Sequence, residues 1–463
     1  MQQYEKKADG IYDARTLGTA KMLLLGLQHM FAMFGATILV PILVNSYFHG
    51  EGLSVQVTLF FAGFGTLFFH FVSKRKVPAF LGSSFAFLGG FATVAELNSG
   101  IYANMTYGEK LPYACGGIVV AGLTYLLLAL VIKLVGVKRV MKFLPPVVTG
   151  PIIICIGLSL AGSAISNANA NWFLALIALS VIIIFNIWGK GLFKIIPILM
   201  GVVISYVVAL IMMITGVPNP DGSAVLNFAS VASASWIGVP DFQICKFDLT
   251  AILVMAPIAI ATMMEHIGDM SAISATVGEN FIENPGLHRT LCGDGLATAI
   301  SAMFGGPANT TYGENTGVLE LSRVYDPRVI RLAAVYAMVL SFIPKFAQVI
   351  SSLPAAIIGG VSFILYGMIS AIGIRNVVEN RVDLTNSRNL IIAAVILVCG
   401  LGFSSGLTFE IAGTSITLTS LAIASIAGVL LNAILPGNDY EFGVNPEGDM
   451  NRGVTLKSRH RKD

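Results

Sequence analysis

Charge is what this chain of 463 residues has least of: 11% are Asp, Glu, Lys or Arg, against about a quarter in soluble domains. That scarcity excludes a soluble globular protein. It also argues against nucleic-acid binding, because the net charge of +3 sits in connections and termini rather than on one basic face. Cysteine is sparse too. The five, Cys115, Cys155, Cys245, Cys292 and Cys399, are scattered and odd in number, which fits neither a disulfide framework nor a zinc site. No metal-ligand spacing and no nucleophile–base motif stands out, so an enzyme is not expected, and neither is a metal or an organic cofactor. A cleavable leader is not expected either. Met1 to Ala20 is polar, with Lys6, Lys7, Asp9, Asp13 and Arg15, and no short apolar core precedes a small-residue cleavage site.

What fills the chain is apolar sequence: 55% of residues are hydrophobic and the mean hydropathy is +0.80. A spanning helix needs about 20 apolar residues, fewer if it is broken. The expected fold is therefore an all-α polytopic membrane protein of about fourteen spans. The first seven cover roughly 21–45, 53–73, 79–92, 112–136, 146–163, 172–189 and 193–215. A polar loop at 216–247 separates them from 248–267, 289–304, 308–322, 328–350, 354–372, 388–404 and 414–435. Basic residues set the orientation. Lys6, Lys7, Arg15 and Lys21 precede the first span. Lys74-Arg75-Lys76, Lys138, Arg139, Lys142, Lys190, Lys194, Arg323, Arg328, Arg331, Arg375, Arg381 and Arg388 follow even-numbered spans. Lys457, Arg459, Arg461 and Lys462 end the chain. The opposite loops at 46–52, 164–171 and 405–413 have no Lys or Arg, Lys110 and Lys246 being the exceptions on that side. Both termini are predicted cytoplasmic. The connection 268–288 is thinly charged for that side, with His288 and, just beyond it, Arg289.

One stretch does not suit a lipid-facing helix: Asn309-Thr-Thr-Tyr-Gly-Glu-Asn-Thr-Gly317, behind Pro307. Irregular backbone at membrane depth must be buried in protein or line a cavity. The first half echoes it. Gly82-Ser83-Ser84-Phe85-Ala86, behind Pro78, resembles Asn309 to Gly313, and each lies in the short third span of its half. Paired interrupted spans point to a transporter's binding site. Residues 82–86 and 309–313 read as short strands that cross at mid-membrane, each leading into a half-helix. The alternative is a pair of small-residue faces for helix packing.

Ionisable groups inside spans are costly, at least about 2.5 kcal/mol at the bilayer centre, so they usually face a site or a partner. Glu265 follows the apolar run Ala251 to Met264, Asp269 lies four residues on, Glu314 opens the half-helix after Tyr312, and His29 lies in span 1. Two carboxylates can clamp the N–H groups of a flat neutral heterocycle, and an intramembrane carboxyl is suited to carry a proton. Plainer readings exist for each. Glu265 and Asp269 could end span 8 in cytoplasmic water, Glu314 could serve only the helix dipole, and His29 could be a structural hydrogen-bonder. Phe85 and Tyr312 could sandwich a ring or be core. Asp294 and Glu320 read as packing or interface groups, and Arg375 to Arg388 as a solvated connection.

Several blocks resemble the nucleobase–ascorbate transporter family. They are Gln28-His29-Met-Phe-Ala-Met-Phe-Gly-Ala-Thr, Pro78-Ala-Phe-Leu-Gly-Ser-Ser-Phe-Ala-Phe, Glu265-His266-Ile-Gly, Pro285-Gly-Leu-His-Arg and Asn309-Thr-Thr-Tyr-Gly-Glu-Asn. The pattern is most similar to bacterial uracil permeases, over about residues 20–435. The resemblance implies fourteen spans in a seven-plus-seven inverted repeat, with short strands in spans 3 and 10. It implies a core domain (21–137 and 248–351), a gate domain (138–215 and 352–435), an extracytoplasmic loop (216–247) and cytoplasmic tails (1–20 and 436–463). It further implies proton-coupled uptake of uracil across the bacterial cytoplasmic (inner) membrane, with the proton as coupling ion, and a homodimer formed through the gate. Carried over by motif, Glu265 and Glu314 bind the pyrimidine edge and Phe85 and Tyr312 pack on the ring. Gly313 and Ala86 contribute backbone, and Tyr366 approaches from the gate. His29, Asp269, Glu265 and Glu314 form the proton-linked set.

The match has one departure. Uracil permeases usually read Glu-His-x-Gly-His where this chain has Glu265-His266-Ile267-Gly268-Asp269. The purine branch usually has a carboxylate at that last position and an Asp where Asp294 stands, but tends to carry Gln-Asn at Glu314-Asn315. A xanthine or urate permease on the same fold is thus the alternative. An inorganic-anion transporter or channel shares the broad architecture, but carboxylates at both half-sites would repel an anion.

Overall fold

A computed structural model of the chain describes residues 6–403, 406–411, 414–438 and 440. The first half contains α1 (Thr19–Tyr47), α2 (Val55–Val72), β1 (Leu81–Ser83), α3 (Leu88–Ala95), α4 (Tyr107–Val135) and α5 (Val137–Met141). It continues with α6 (Pro146–Ser159), α7 (Ala161–Ala168), α8 (Trp172–Trp188), α9 (Leu192–Ile195) and α10 (Pro197–Ile214). The connection holds α11 (Ala229–Ser233). The second half contains α12 (Leu249–Met255), α13 (Ala259–Val277), α14 (Leu287–Met303), β2 (Asn309–Thr311), α15 (Gly313–Ser322), α16 (Pro327–Ser341) and α17 (Pro344–Ser351). It ends with α18 (Ala355–Glu379), α19 (Ser387–Gly402), β3 (Leu407–Ile411), β4 (Thr414–Leu418) and α20 (Ser420–Ile434). Most of the expected C-terminal tail, 436–463, and the first five residues of the N-terminal tail lie outside the described residues.

The protein is an all-helical polytopic membrane protein. Among the described residues, seven helices are long and apolar enough to cross a membrane, counting α6–α7 and α12–α13 as one each. An eighth is α16–α17, bent by 88°. The shorter apolar helices α8, α19 and α20 add to these. Prolines mark the breaks inside two of these spans: Pro344 opens α17 after the bend, and Pro257 sits in the turn between α12 and α13.

Four segments differ from the sequence reading. Helix α13 runs to Val277 and ends on Gly278 in the left-handed region (φ 77°), so Asp269 is inside a helix and 268–288 is only partly a connection. Helix α18 runs to Glu379, which makes Arg375 helical and pairs it with Glu379 at 2.5 Å. The expected span 328–350 is the bent pair α16–α17. The expected last span begins later, at Ser420, because 414–418 pairs antiparallel with 407–411.

The two interrupted spans meet as an antiparallel pair, with Leu81 opposite Thr311, Gly82 opposite Thr310 and Ser83 opposite Asn309. The strands are 81–83 and 309–311, shorter than the expected 82–86 and 309–313. Two further bonds extend the ladder: the Tyr312 N–H donates to the Phe80 carbonyl (3.0 Å) and the Ser84 N–H to the Ala308 carbonyl (2.9 Å). An open strand edge at membrane depth needs partners, and threonines supply them on both sides. Thr66 Oγ1 in α2 accepts from the Leu81 N–H at 2.8 Å and donates to the Leu81 carbonyl at 3.2 Å. Thr298 Oγ1 in α14 does the same for Asn309, at 3.1 and 3.0 Å. Two residues before each strand, His70 Nε2 reaches the Ala79 carbonyl (2.8 Å) and Ser301 Oγ the Pro307 carbonyl (2.6 Å).

Around this pair, α4 and α2 pack on α14, and α16 packs on α1 and α2. Glycine allows the closest approach: a Cβ on Gly122 of α4 would stand 2.5 Å from the Gly295 carbonyl oxygen of α14. Helix α18 packs on α6, α7 and α8, and α19 on α6 and α20. The N-terminal segment straps the ends of α13 and α15 together. Ile11 forms a parallel bridge to Val324, and the Tyr12 hydroxyl donates to the Val277 carbonyl at 2.6 Å. Asp13 bonds both Arg15 and Arg328, and the Arg15 guanidinium holds its carboxyl well below the usual carboxylate range.

Candidate functional site

A cavity of about 700 Å³ opens between the strand pair and α13 on one side and α6, α10 and α18 on the other. Phe85, Glu265, Asp269, Tyr312, Gly313 and Glu314 line it. Each arrives by a separate local route. Glu265 and Asp269 share one face of α13, four residues apart. Both are half-buried well inside the helix, so neither marks its end in water. The Thr310 hydroxyl of β2 lies beside Glu265. The Thr311 hydroxyl donates to Asp269 Oδ2 at 2.5 Å. Consecutive strand residues thus reach the two carboxyl groups of one helix face.

Glu314 sits in the first turn of α15, where Tyr312 is the N-cap and gives no side-chain capping bond. The first N–H groups of that helix are left to favour negative charge. Glu314 meets that preference and also borders the cavity, so its place at the helix terminus does not remove it from the site.

The two aromatics behave differently. Phe85 is buried against Tyr366, with ring centroids 5.9 Å apart at 77°, and borders the cavity. Tyr312 folds back over β1. Its hydroxyl donates to the Ser83 carbonyl at 2.9 Å, and its ring occupies the space above Gly82, where an added Cβ would meet Cζ at 2.3 Å.

Three of the expected residues are near the cavity but do not line it. Ala86 is buried (2% exposed) behind Phe85. Tyr366, also buried, touches Phe85 from α18. His29 is fully buried in α1, where the Asn315 amide donates to its carbonyl oxygen at 2.9 Å and approaches Nδ1 at 3.2 Å. It therefore sits behind α15, bonded to Asn315, which is itself buried off the cavity. Asp294 lies in the packed interior, with Oδ2 2.8 Å from Nδ1 of His266, and both side chains are fully buried. Glu320 is exposed and lines the outer part of the cavity with Lys194, Arg375 and Asn376.

The sequence reading missed the individual roles of Thr310, Thr311 and Asn315. Their signal was present as polar side chains in an apolar region, but their partners are remote in sequence. Among the described residues, no cluster of His, Cys, Asp and Glu could hold a metal ion. The arrangement instead presents carboxylates, hydroxyls and an aromatic face to a small polar ligand.

Comparison with known proteins gives four matches. A family of permeases matches residues 20–409. The uracil permease of Bacillus caldolyticus is 42% identical over 442 residues, covering 92% of this chain and 94% of that protein. The uracil permease of Bacillus subtilis (strain 168) is 41% identical over 429 residues, 89% of this chain and 91% of that protein. Among solved structures, the transmembrane domain of a cyanobacterium bicarbonate transporter, BicA, matches with a TM-score of 0.60 at 15% identity, over 85% of this chain and 97% of that one. At that identity the likeness speaks to the fold alone.

Proposed function

The chain belongs to the xanthine/uracil permease family, and we propose that it imports uracil together with protons. It is a transporter rather than an enzyme. One observation carries the choice of cargo: Glu265 of α13, Glu314 of α15 and Phe85 beside α3 converge on one cavity at the ends of a buried strand pair. Uracil is flat and neutral and has two ring N–H groups. Carboxylates accept from such groups in charge-assisted bonds, and Phe85 offers the ring a face. An anion would meet two carboxylates of like charge there. The relatives' names specify uracil.

In this reading the chain forms fourteen spans as two inverted repeats. The core domain (spans 1–4 and 8–11) carries the strand pair and both carboxylates. The gate domain (spans 5–7 and 12–14) supplies Tyr366 and the surface of a homodimer. Both termini are cytoplasmic in this scheme, which makes the mouth lined by Lys194 and Arg375 the cytoplasmic opening. Rocking or sliding of the core against the gate would alternate access. Glu265, Glu314 and Asp269 are the proton carriers, and His29 is linked to Glu314 through Asn315 of the same helix.

Uptake of labelled uracil into proteoliposomes after a pH jump tests this, with xanthine, urate and thymine as competitors. Uracil uptake driven by an inward proton gradient, blocked by a protonophore and indifferent to xanthine, is expected. Competition won by xanthine would assign the site to purines and make Asp269 the discriminating residue.

A further inference from the structure

Three helix ends that take no part in the cavity meet elsewhere on the molecule. Helix α14 runs antiparallel to both α2 and α4. A Cβ on Gly65 would contact Ala297 and one on Gly293 would contact the Cα of Phe69, while Gly122 lies by Gly295 and Ala299 and Gly295 by Tyr125. Following these contacts along the helices brings the ends of α2 and α4 to the start of α14. Lys74 follows α2, Lys133 is in the last turn of α4, and His288 and Arg289 begin α14. His288 lies within electrostatic reach of Lys74, Lys133 and Arg289, and Cys292 within reach of Lys133 and Arg289.

The charges in this cluster are all of one sign. Among the described residues, Lys74, Lys133 and Arg289 join no ion pair. The adjacent Lys76 is engaged, donating to Asn284 at 2.7 Å. Asp294, the carboxylate nearest in sequence to Arg289, is fully buried against His266, and Glu283, the next nearest, is exposed and joins no ion pair among the described residues. Like charges gathered without a counter-charge repel one another, and an anion drawn from outside the chain relieves this. The flanking surface says which anion. On the same two helices Phe71, Leu130 and Leu134 are 71%, 51% and 75% exposed, an apolar face that a membrane protein turns to lipid. Free phosphate has no use for such a face, whereas acyl chains do.

We propose that Lys74, Lys133 and Arg289 bind the phosphate of an anionic phospholipid whose acyl chains lie along Phe71, Leu130 and Leu134. Basic pockets between spans are the usual seats for such headgroups. The site is independent of the cargo and would fix a lipid on the helices that buttress the strand pair.

The test uses the full-length protein in zwitterionic phosphatidylcholine nanodiscs, with the melting temperature followed as phosphatidylglycerol is added. A saturable rise is expected. Lys74→Gln/Lys133→Gln/Arg289→Gln should lose it, with the preference for phosphatidylglycerol falling by about 100-fold. A charge-matched control, Lys457→Gln/Arg459→Gln/Arg461→Gln, should keep it. If the triple variant does not fold, Lys133→Gln should weaken the response and Lys133→Arg restore it. Three results would overturn the assignment: a full response in the cluster variants, equal stabilisation by added phosphatidylcholine, or the same rise from glycerol 1-phosphate or inorganic phosphate alone.

Discussion

The two interrupted spans use one backbone device for different chemistry. Each crosses into the membrane interior as three extended residues, pairs with the other, and has its outer edge closed by a threonine from the preceding long helix. Beyond the strands they diverge. In the first half, residues 84–87 intervene before α3, whose N-cap Phe87 makes no capping bond, and the side chain offered to the cavity is Phe85. In the second half α15 begins two residues after the strand, with Tyr312 as extended N-cap and Glu314 in its first turn. Backbone groups at membrane depth must be paired whatever the ligand, which accounts for the shared part. Side chains are free of that demand, so one arm can supply a ring face and the other a charge.

The largest expected effect breaks the charged side of this comparison. Glu314→Gln and Glu265→Gln should each weaken uracil binding about 10- to 100-fold, since a hydrogen bond to a charged group is worth about 1.5–3 kcal/mol. Phe85→Leu keeps an apolar face and should cost less. Calorimetric titration of purified protein reads both. Near-wild-type affinity in either Gln variant would remove the paired-carboxylate model.

The next tests the fit between the arms. Gly82→Ala puts a methyl into the Tyr312 ring, and overpacking of this kind costs about 1–3 kcal/mol. In the Tyr312→Ala background the same change should be nearly harmless. A thermal melt of the double-mutant cycle measures the coupling, and additive losses would mean that the ring does not occupy the space above Gly82.

An effect of similar size probes what the arms share. Thr66→Val and Thr298→Val each leave a buried strand N–H without its acceptor, at about 1–3 kcal/mol. The two losses should be alike in stability but unlike in function. Thr298→Val loosens the arm that carries Glu314 and should raise KM for uracil more than Thr66→Val does. Equal effects on KM would mean that strand edges support the fold without setting the site.

Much of this frame was legible in the sequence. Pro78 and Pro307, the hydroxyl-rich segments behind them and the intramembrane carboxylates at 265, 269 and 314 marked the broken spans and all six residues named above as lining the cavity. The strand pairing was anticipated from the need to satisfy buried backbone. The register was not. The echo aligned Gly82 with Asn309, whereas the strand pair centres Gly82 on Thr310, one residue further on. A shift of one reverses which side of a strand each residue faces. Phe85 and Tyr312 are therefore not structural counterparts, and Tyr312 turns onto β1 while Phe85 turns to the cavity. The other misses were long-range pairs. His266 with Asp294, and Asn315 with His29, are joined by packing that one sequence cannot display, and the pairing of 407–411 with 414–418 was missed although both segments alternate as strands do.

The mildest prediction concerns the bond joining the second arm to α13. Thr311→Val removes the hydroxyl that donates to Asp269 and keeps the β-branched shape that suits a strand. A hydrogen bond to a charged group is worth about 1.5–3 kcal/mol when wholly lost, but Asp269 is half-buried in an open cavity, so water takes over part of it. An affinity loss of only about three- to tenfold is expected. Its pH dependence is the sharper readout. If the hydroxyl serves to orient a proton-carrying Asp269, the pH profile of uptake should move in Thr311→Val and move alike in Asp269→Asn, with no further change in the double variant. A profile that moves in Asp269→Asn but not in Thr311→Val would separate the proton role from the hydrogen bond. The second arm would then contribute Glu314 alone to coupling, and the contrast between the arms would narrow to a single carboxylate.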